Sequence, residues 1–269
     1  MFNISDCLGR NGEHSRTKLL QAVYDNDLAE VRKLINTAKL VKLQEKMVNL
    51  SDKFGQTPLY HACWKGYSEI AYILLDSDAN IYRPEENGPK PLHIKKPTRD
   101  TPDAEVELYR LQTMLNEGST PAYMAALMGH EHILRKLLNH GYKIDHHSCR
   151  GWTLLHIAAQ QGHYQIVKML LEEYDGQTII NDSSNDYGDT PLIAAIEGTK
   201  GPEGVQIIKL LVKAGADKNK VGPENKTPLE KAQEVREIKA ELIGNDRPMM
   251  QIQMYLYYNQ ILRYLQNVD

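Results

Sequence analysis

The sequence predicts an all-α protein built as a solenoid of stacked helix pairs. Three observations carry that expectation. A short motif of the form Thr-Pro-Leu, or a near variant, returns at a nearly fixed interval along the chain. Small residues follow it by a few places, as in Ala125-Ala126 and Ala158-Ala159, where two helices can approach closely. A glycine then leads into a second apolar run with helical spacing, as at Gly66, Gly129 and Gly162.

The copies run as follows. The first is degenerate and lacks the proline: Thr17-Lys18-Leu19-Leu20-Gln21-Ala22-Val23, continuing to Val31-Arg32-Lys33-Leu34-Ile35. The segment from Asn36 to Leu50 has helical spacing through Leu40, Leu43, Met47 and Leu50, and reads as a surface excursion. The second copy is Gln56-Thr57-Pro58-Leu59-Tyr60-His61-Ala62-Cys63, and a weak third begins at Lys90-Pro91-Leu92-His93. Clear copies follow at Thr120-Pro121, Thr153-Leu154, Thr190-Pro191 and Thr227-Pro228, so that starts fall near 17, 57, 90, 120, 153, 190 and 227. Threonine before proline suits a helix start, because the hydroxyl caps the first amides and proline has no amide to leave unsatisfied. The polar stretch Glu197 to Gly204 reads as a flexible loop between the two helices of its repeat.

These motifs resemble the ankyrin-repeat family, whose unit of about 33 residues carries a T-P-L-H-x-A signature. The resemblance spans roughly residues 17 to 243. It implies a curved array with turns projecting to one side and a concave face lined by turns and first helices. No unit buries its apolar face alone, so the outermost ones must be modified. We therefore divide the chain into a repeat array, 1–248, and a C-terminal capping helix, 249–269. Met250, Met254, Tyr257, Ile261 and Leu265 would form the buried stripe of that helix. Tyr255, Tyr258 and Leu262 lie off this stripe, and the alternative is that they make the helix a handle for a second partner or for self-association.

Repeat three breaks the pattern. Lys95-Lys96 replaces the small pair, and Pro84, Pro89, Pro91, Pro97 and Pro102 crowd the same region. Lysines do not pack between helices without partners, and prolines exclude a long helix. The expectation is an irregular exposed segment from Lys95 to Asp103, either a decayed repeat that keeps its second helix or a functional lip on the groove.

Chemistry is sparse. Against 35 acidic residues stand 32 basic ones, for a net charge of −3, which argues against the basic footprint of a nucleic-acid binder. No apolar run approaches bilayer-spanning length, and no secretory leader is evident. Cys7, Cys63 and Cys149 show neither a disulfide framework nor zinc spacing. No GxSxG, GK[ST] or HExxH motif occurs. The resemblance implies that His61, His93, His130, His156 and His163 bond backbone across neighbouring turns. His140, His146, His147 and Cys149 cluster without a metal-site pattern and read as a solvated turn.

Function is therefore expected on the surface. Positions that are variable and groove-facing in the family correspond here to Lys53, Phe54, Gln56, Trp64 and Lys65, then Asn116, Glu117, Ser119, Leu127 and Met128. They continue as Arg150, Trp152, Gln160 and Gln161, and as Asp186, Tyr187, Asp189 and Glu197. Both tryptophans and one of two phenylalanines fall among them, in a chain with 15 tyrosines. Exposed aromatics beside Arg and Lys are the residue types of interface hot spots. The expected function is non-catalytic protein recognition through the concave groove, by a cytoplasmic monomer without cofactor, metal or nucleic acid. An effector of an intracellular bacterium, acting in host cytoplasm, is one form of that reading. A hydrolase or transferase using Cys149 or Cys63 with a histidine is the alternative.

Overall fold

The structure is a computed structural model, and it describes residues 13–52, 55–82, 120–146, 151–185, 188–222, 225–241 and 248–267. Lys95 to Asp103, and with it the expectation for repeat three, lies outside the described residues. Among the described residues the chain is helical, without strands, and it divides into an N-terminal unit ending at Tyr142 and a C-terminal unit starting at Lys143.

The N-terminal unit contains α1 (Glu13–Tyr24), α2 (Leu28–Leu40), α3 (Gln44–Val48), α4 (Pro58–Lys65), α5 (Ser68–Leu75), α6 (Pro121–Met128) and α7 (Glu131–Asn139). First helices pack in one row, α1 on α4 and α4 on α6; second helices pack in another, α2 on α5 and α5 on α7. The repeats starting at 57 and 120 are thus direct neighbours. Cross-repeat contacts show the same adjacency. Tyr72 Oη donates to the His132 carbonyl at 3.3 Å, Lys136 pairs with Asp76 at 3.3 Å, and the Tyr82 and Tyr142 rings stack at 5.0 Å.

Local chemistry fixes each pair. The hydroxyls of Thr57 and Thr120 accept the amides of Tyr60 and Tyr123, capping α4 and α6, with a proline opening each helix. Gly66 and Gly129 then end those helices at φ of 77° and 80°, a left-handed conformation that glycine adopts without a Cβ penalty. A side chain at Gly66 would also strike the His130 ring. The segment after Asn36 is only partly a surface excursion. Leu40 is exposed as expected, but the chain turns at Lys42, with φ of 56°, and α3 returns to bury Met47 and Val48 against α1 and α2.

The C-terminal unit contains α8 (Leu154–Gln161), α9 (Tyr164–Glu173), a short 3-10 turn (Gly176–Ile179), α10 (Pro191–Gly198), α11 (Pro202–Lys213), α12 (Pro228–Glu241) and α13 (Pro248–Asn267). Its first helices pack as α8, α10 and α12, and its second helices as α9, α11 and α13. Thr153 caps α8 in a box with His156, and Thr190 caps α10. The polar loop expected at Glu197 to Gly204 shrinks to Thr199–Gly201, because α10 runs to Gly198 and α11 begins at Pro202. Thr199 is buried there, and its hydroxyl donates to the Ala195 carbonyl at 2.7 Å.

The C-terminal helix takes the place of a second helix beside α11 and α12. Its buried stripe differs from the expected one: Tyr258, Ile261, Leu262 and Leu265 are buried, while Met254 and Tyr257 are half-buried. The side chain of Met250 lies outside the described residues. The register follows from Tyr258, whose hydroxyl donates to the Ile196 carbonyl at the end of α10 at 2.7 Å and turns the helix accordingly. A handle built on Tyr258 and Leu262 is therefore excluded.

Candidate protein-interaction surface

Counting from the Thr that opens each sequence copy (Thr17, inside α1, then Thr57 and Thr120), the seventh and eighth residues on stand at the end of the first helix. In the N-terminal unit these are Tyr24 and Asp25, Trp64 and Lys65, Leu127 and Met128. Tyr24 and Met128 are each 41% exposed, Trp64 is half-buried and Lys65 exposed. Leu127, expected at the surface, is buried, because α6 is enclosed from Pro121 through Leu127 and only its last residue emerges.

Below this ridge lies a polar cluster. His61 is buried, and its Nε2 lies 2.9 Å from Tyr24 Oη and 3.1 Å from Asp52 Oδ2, while its Nδ1 has no hydrogen-bond partner. The Tyr24 and His61 rings are 4.5 Å apart and the His61 and Trp64 rings 6.3 Å apart, so the aromatic row is continuous from α1 to α4. Burial and the Asp52 carboxylate push the Tyr24 phenol up to about 12, so it remains a neutral donor. Lys65 Nζ sits 4.5 Å over the Trp64 ring, a cation–π contact. His61 thus departs from the backbone-bonding role that the family resemblance implies. His130 and His156 fit it: His130 Nε2 lies 3.3 Å from the Trp64 carbonyl, and His156 Nε2 lies 2.9 Å from that of Asp189.

The other expected contact residues divide. Lys53, Phe54, Arg150 and Tyr187 lie outside the described residues, as do Asn116, Glu117, Ser119 and Asp186. Gln56 is half-buried, its backbone N–H donating to Asp52 Oδ1 at 2.9 Å within the turn. Gln160 and Gln161 are half-buried on α8. Trp152 corrects the expectation of an exposed hot spot, being only 9% exposed with its ring 5.5 Å from that of His156. The residue before the capping Thr folds over its own helix start, so its area is spent on packing.

Asp189 is likewise buried, at 5% exposure, and its Oδ1 has no hydrogen-bond partner. Burial and then the Glu197 carboxylate push its acid up to about 7, offset in part by Lys231. Glu197 and Glu234 are tied by Lys231, at 2.8 and 3.3 Å, and Lys226 also holds Glu234 at 2.9 Å.

Cys63, one of the two cysteines considered as a nucleophile, is fully buried, and burial drives its thiol far above the ordinary range, away from the reactive thiolate. Cys149 and His147 lie outside the described residues. Among the described residues no group of three or more His, Cys, Asp or Glu side chains is placed to hold a metal ion. No helix among them is long and apolar enough to cross a membrane. Tyr24 was missed in the sequence because its copy carries neither Thr-Pro nor the turn glycine. Aligning Thr17 with Thr57 places it at the position of Trp64.

Comparison with known proteins agrees with this architecture. Over 136 residues, 48% of the chain, it is 30% identical to the human transient receptor potential cation channel subfamily A member 1, of which it covers 12%. Over 106 residues, 39% of the chain, it is 32% identical to ankyrin repeat and SOCS box protein 3 of Bos taurus, of which it covers 19%. The chain thus spans less than a fifth of the length of either relative. The crystal structure of the ankyrin repeat protein EF0377 matches with a TM-score of 0.64 at 24% identity, over 94% of this chain and 98% of that one. A chain from the complex of the predatory endopeptidase Bd0816 of Bdellovibrio bacteriovorus with the immunity protein Bd3460 matches with a TM-score of 0.59 at 22% identity, over 90% and 97%. At these identities the two structures share a fold with this chain. The ankyrin-repeats family profile matches three times, over residues 3–94, 103–182 and 124–222, and the chain belongs to the ankyrin-repeat family.

Proposed function

We propose that this chain recognises a partner protein, without catalysis or a cofactor, through the ridge formed by the first-helix ends of its N-terminal unit. Ankyrin repeats are a general protein–protein interaction module. The observation that supports this ridge over other surfaces is the row Tyr24, Trp64 and Met128, apolar area left outside the packing, with Lys65 lying on the indole. A half-buried Trp held in place by its neighbours is a preorganised anchor, and such residues dominate binding energy. Affinity capture from lysate with quantitative mass spectrometry, comparing wild type with Trp64→Ala and Met128→Ala, tests the reading. Partners are expected to be lost from both variants. Retention of every partner at wild-type levels would remove the ridge from the binding surface.

A further inference from the structure

We infer that the segment docking on the ridge is an apolar peptide carrying a carboxylate, seated with that carboxylate on Lys65. The inference rests on the ridge being the docking face, and it adds the partner's chemistry. Lys65 is the last residue of α4, it is exposed, and the contact it makes is with the Trp64 ring below it. Lys33, Arg135 and Lys136 of the same unit pair with Glu30, Glu131 and Asp76, whereas Lys65 stands on the ridge itself. An ammonium held against an aromatic face on one side keeps its remaining N–H groups for an acceptor on the other. A carboxylate is the acceptor that gains most, since it supplies both charge and hydrogen bonding.

Asp25, just past the end of α1, takes the equivalent place, but both its oxygens accept from the Gln21 carboxamide, at 2.9 and 3.0 Å. It still repels an acid, so the two ends of the ridge differ in sign. A bound segment is thereby oriented, its acid over α4 and not over α1. Packed helices lie about 8–10 Å apart, which an extended chain crosses in roughly three residues. The acid therefore stands within about three residues of the apolar side chains that meet Tyr24 and Met128.

The C-terminal unit offers the opposite case. At the same repeat position it presents Gln160, Glu197 and Glu234, and the two glutamates are already paired with Lys231 and Lys226. Those carboxylates are neutralised by the two lysines, so they offer a docking segment no unpaired charge. An acidic, apolar segment is thus directed to the N-terminal ridge.

The test is selection from a random dodecapeptide display library on the full chain, run in parallel on wild type, Lys65→Glu and a Trp64→Ala/Met128→Ala double variant, each shown folded by circular dichroism. Peptides enriched on wild type and lost on the double variant are expected to carry Asp or Glu close to Leu, Ile or Phe. A synthetic representative should bind Lys65→Glu about fivefold or more weakly, and should weaken further as salt rises. If the ridge-dependent peptides lack acids, or bind Lys65→Glu as well as wild type, the carboxylate assignment fails while the ridge stands. A selection yielding no ridge-dependent peptide overturns both.

Discussion

The first-helix ends of the two units occupy the same place in the repeat and carry different chemistry. In the N-terminal unit the row reads Tyr24, Trp64 and Leu127, followed by Asp25, Lys65 and Met128; in the C-terminal unit it reads Gln160, Glu197 and Glu234, followed by Gln161, Gly198 and Val235. Neither set is dictated by the helix pairs, whose packing depends on the capping threonines, the small pairs and the second-helix leucines. The C-terminal unit uses the freedom internally. Lys231 bridges Glu197 of one repeat to Glu234 of the next, and the absence of a Cβ at Gly198 lets α10 approach the Gln160 carbonyl. The N-terminal unit leaves its aromatic area uncommitted, supported from below by His61 and Asp52. Equal backbone positions therefore serve cohesion in one unit and, in our reading, recognition in the other.

The largest effect that sharpens this contrast is expected at the end of the C-terminal unit. We propose that α13 closes the unit, because Tyr258, Ile261, Leu262 and Leu265 bury against it. Each such side chain contributes about 1.5–3 kcal/mol. Truncation after Asp246 should lower the melting temperature by well over about 10 °C and promote aggregation, since about 1 kcal/mol corresponds to roughly 2–4 °C at this size. A truncated chain melting within a few degrees of wild type would show α13 to be an appendage.

The two tryptophans separate next. Trp152→Ala removes a buried ring and should cost about 3–5 kcal/mol of stability by chemical denaturation. Trp64→Ala should cost less stability but about 2 kcal/mol of binding, measured by calorimetry against a partner recovered in the capture experiment. Equal stability losses with no binding difference would erase the distinction between the units.

Asp189 supplies a pH-dependent effect confined to the C-terminal unit. Its acid is raised in the fold, so the folded chain holds a proton that the unfolded chain releases at lower pH. Stability is fully present below the ordinary Asp range near 4 and falls as pH rises toward about 7. Asp189→Asn should therefore stabilise the protein by about 1–3 kcal/mol at pH 8, with the gain vanishing near pH 4. Denaturation midpoints at the two pH values check it, and a gain equal at both would place the cause elsewhere.

The smallest expected effect is at Thr227, whose hydroxyl and amide both bond the Glu230 carboxylate while its Oγ accepts the Glu230 amide. Thr227→Ala should cost about 1 kcal/mol, without altering partner binding at the N-terminal ridge.

Much of this was legible in the residues. The caps at Thr57, Thr120, Thr153 and Thr190, and the left-handed ends at Gly66, Gly129 and Gly162, follow from preferences that act within a few bonds. The helices themselves follow from the spacing of apolar residues, and α13 runs over Pro248–Asn267. The exposure of the proposed surface was half legible. Trp64, Lys65 and Met128 were identifiable from repeat position, whereas Trp152, Leu127 and Asp189 turned out buried although repeat position suggested exposure.

The sequence by itself determined the helix pairs, their order and the ends marked by a capping threonine or a turn glycine, because capping, turn geometry and hydrophobic periodicity are local. Only the tertiary structure decided which repeats touch. It set the 57 repeat directly against the 120 repeat, although a weak copy of the motif stands between them in sequence. It also turned α13 until Tyr258 met the Ile196 carbonyl, and brought Tyr24 of the degenerate first copy against His61. Burial depends on what the neighbouring helix presents, and that is set by contacts between residues far apart in the chain. Periodicity assigns a side chain to a face, but the partner on that face decides whether water reaches it.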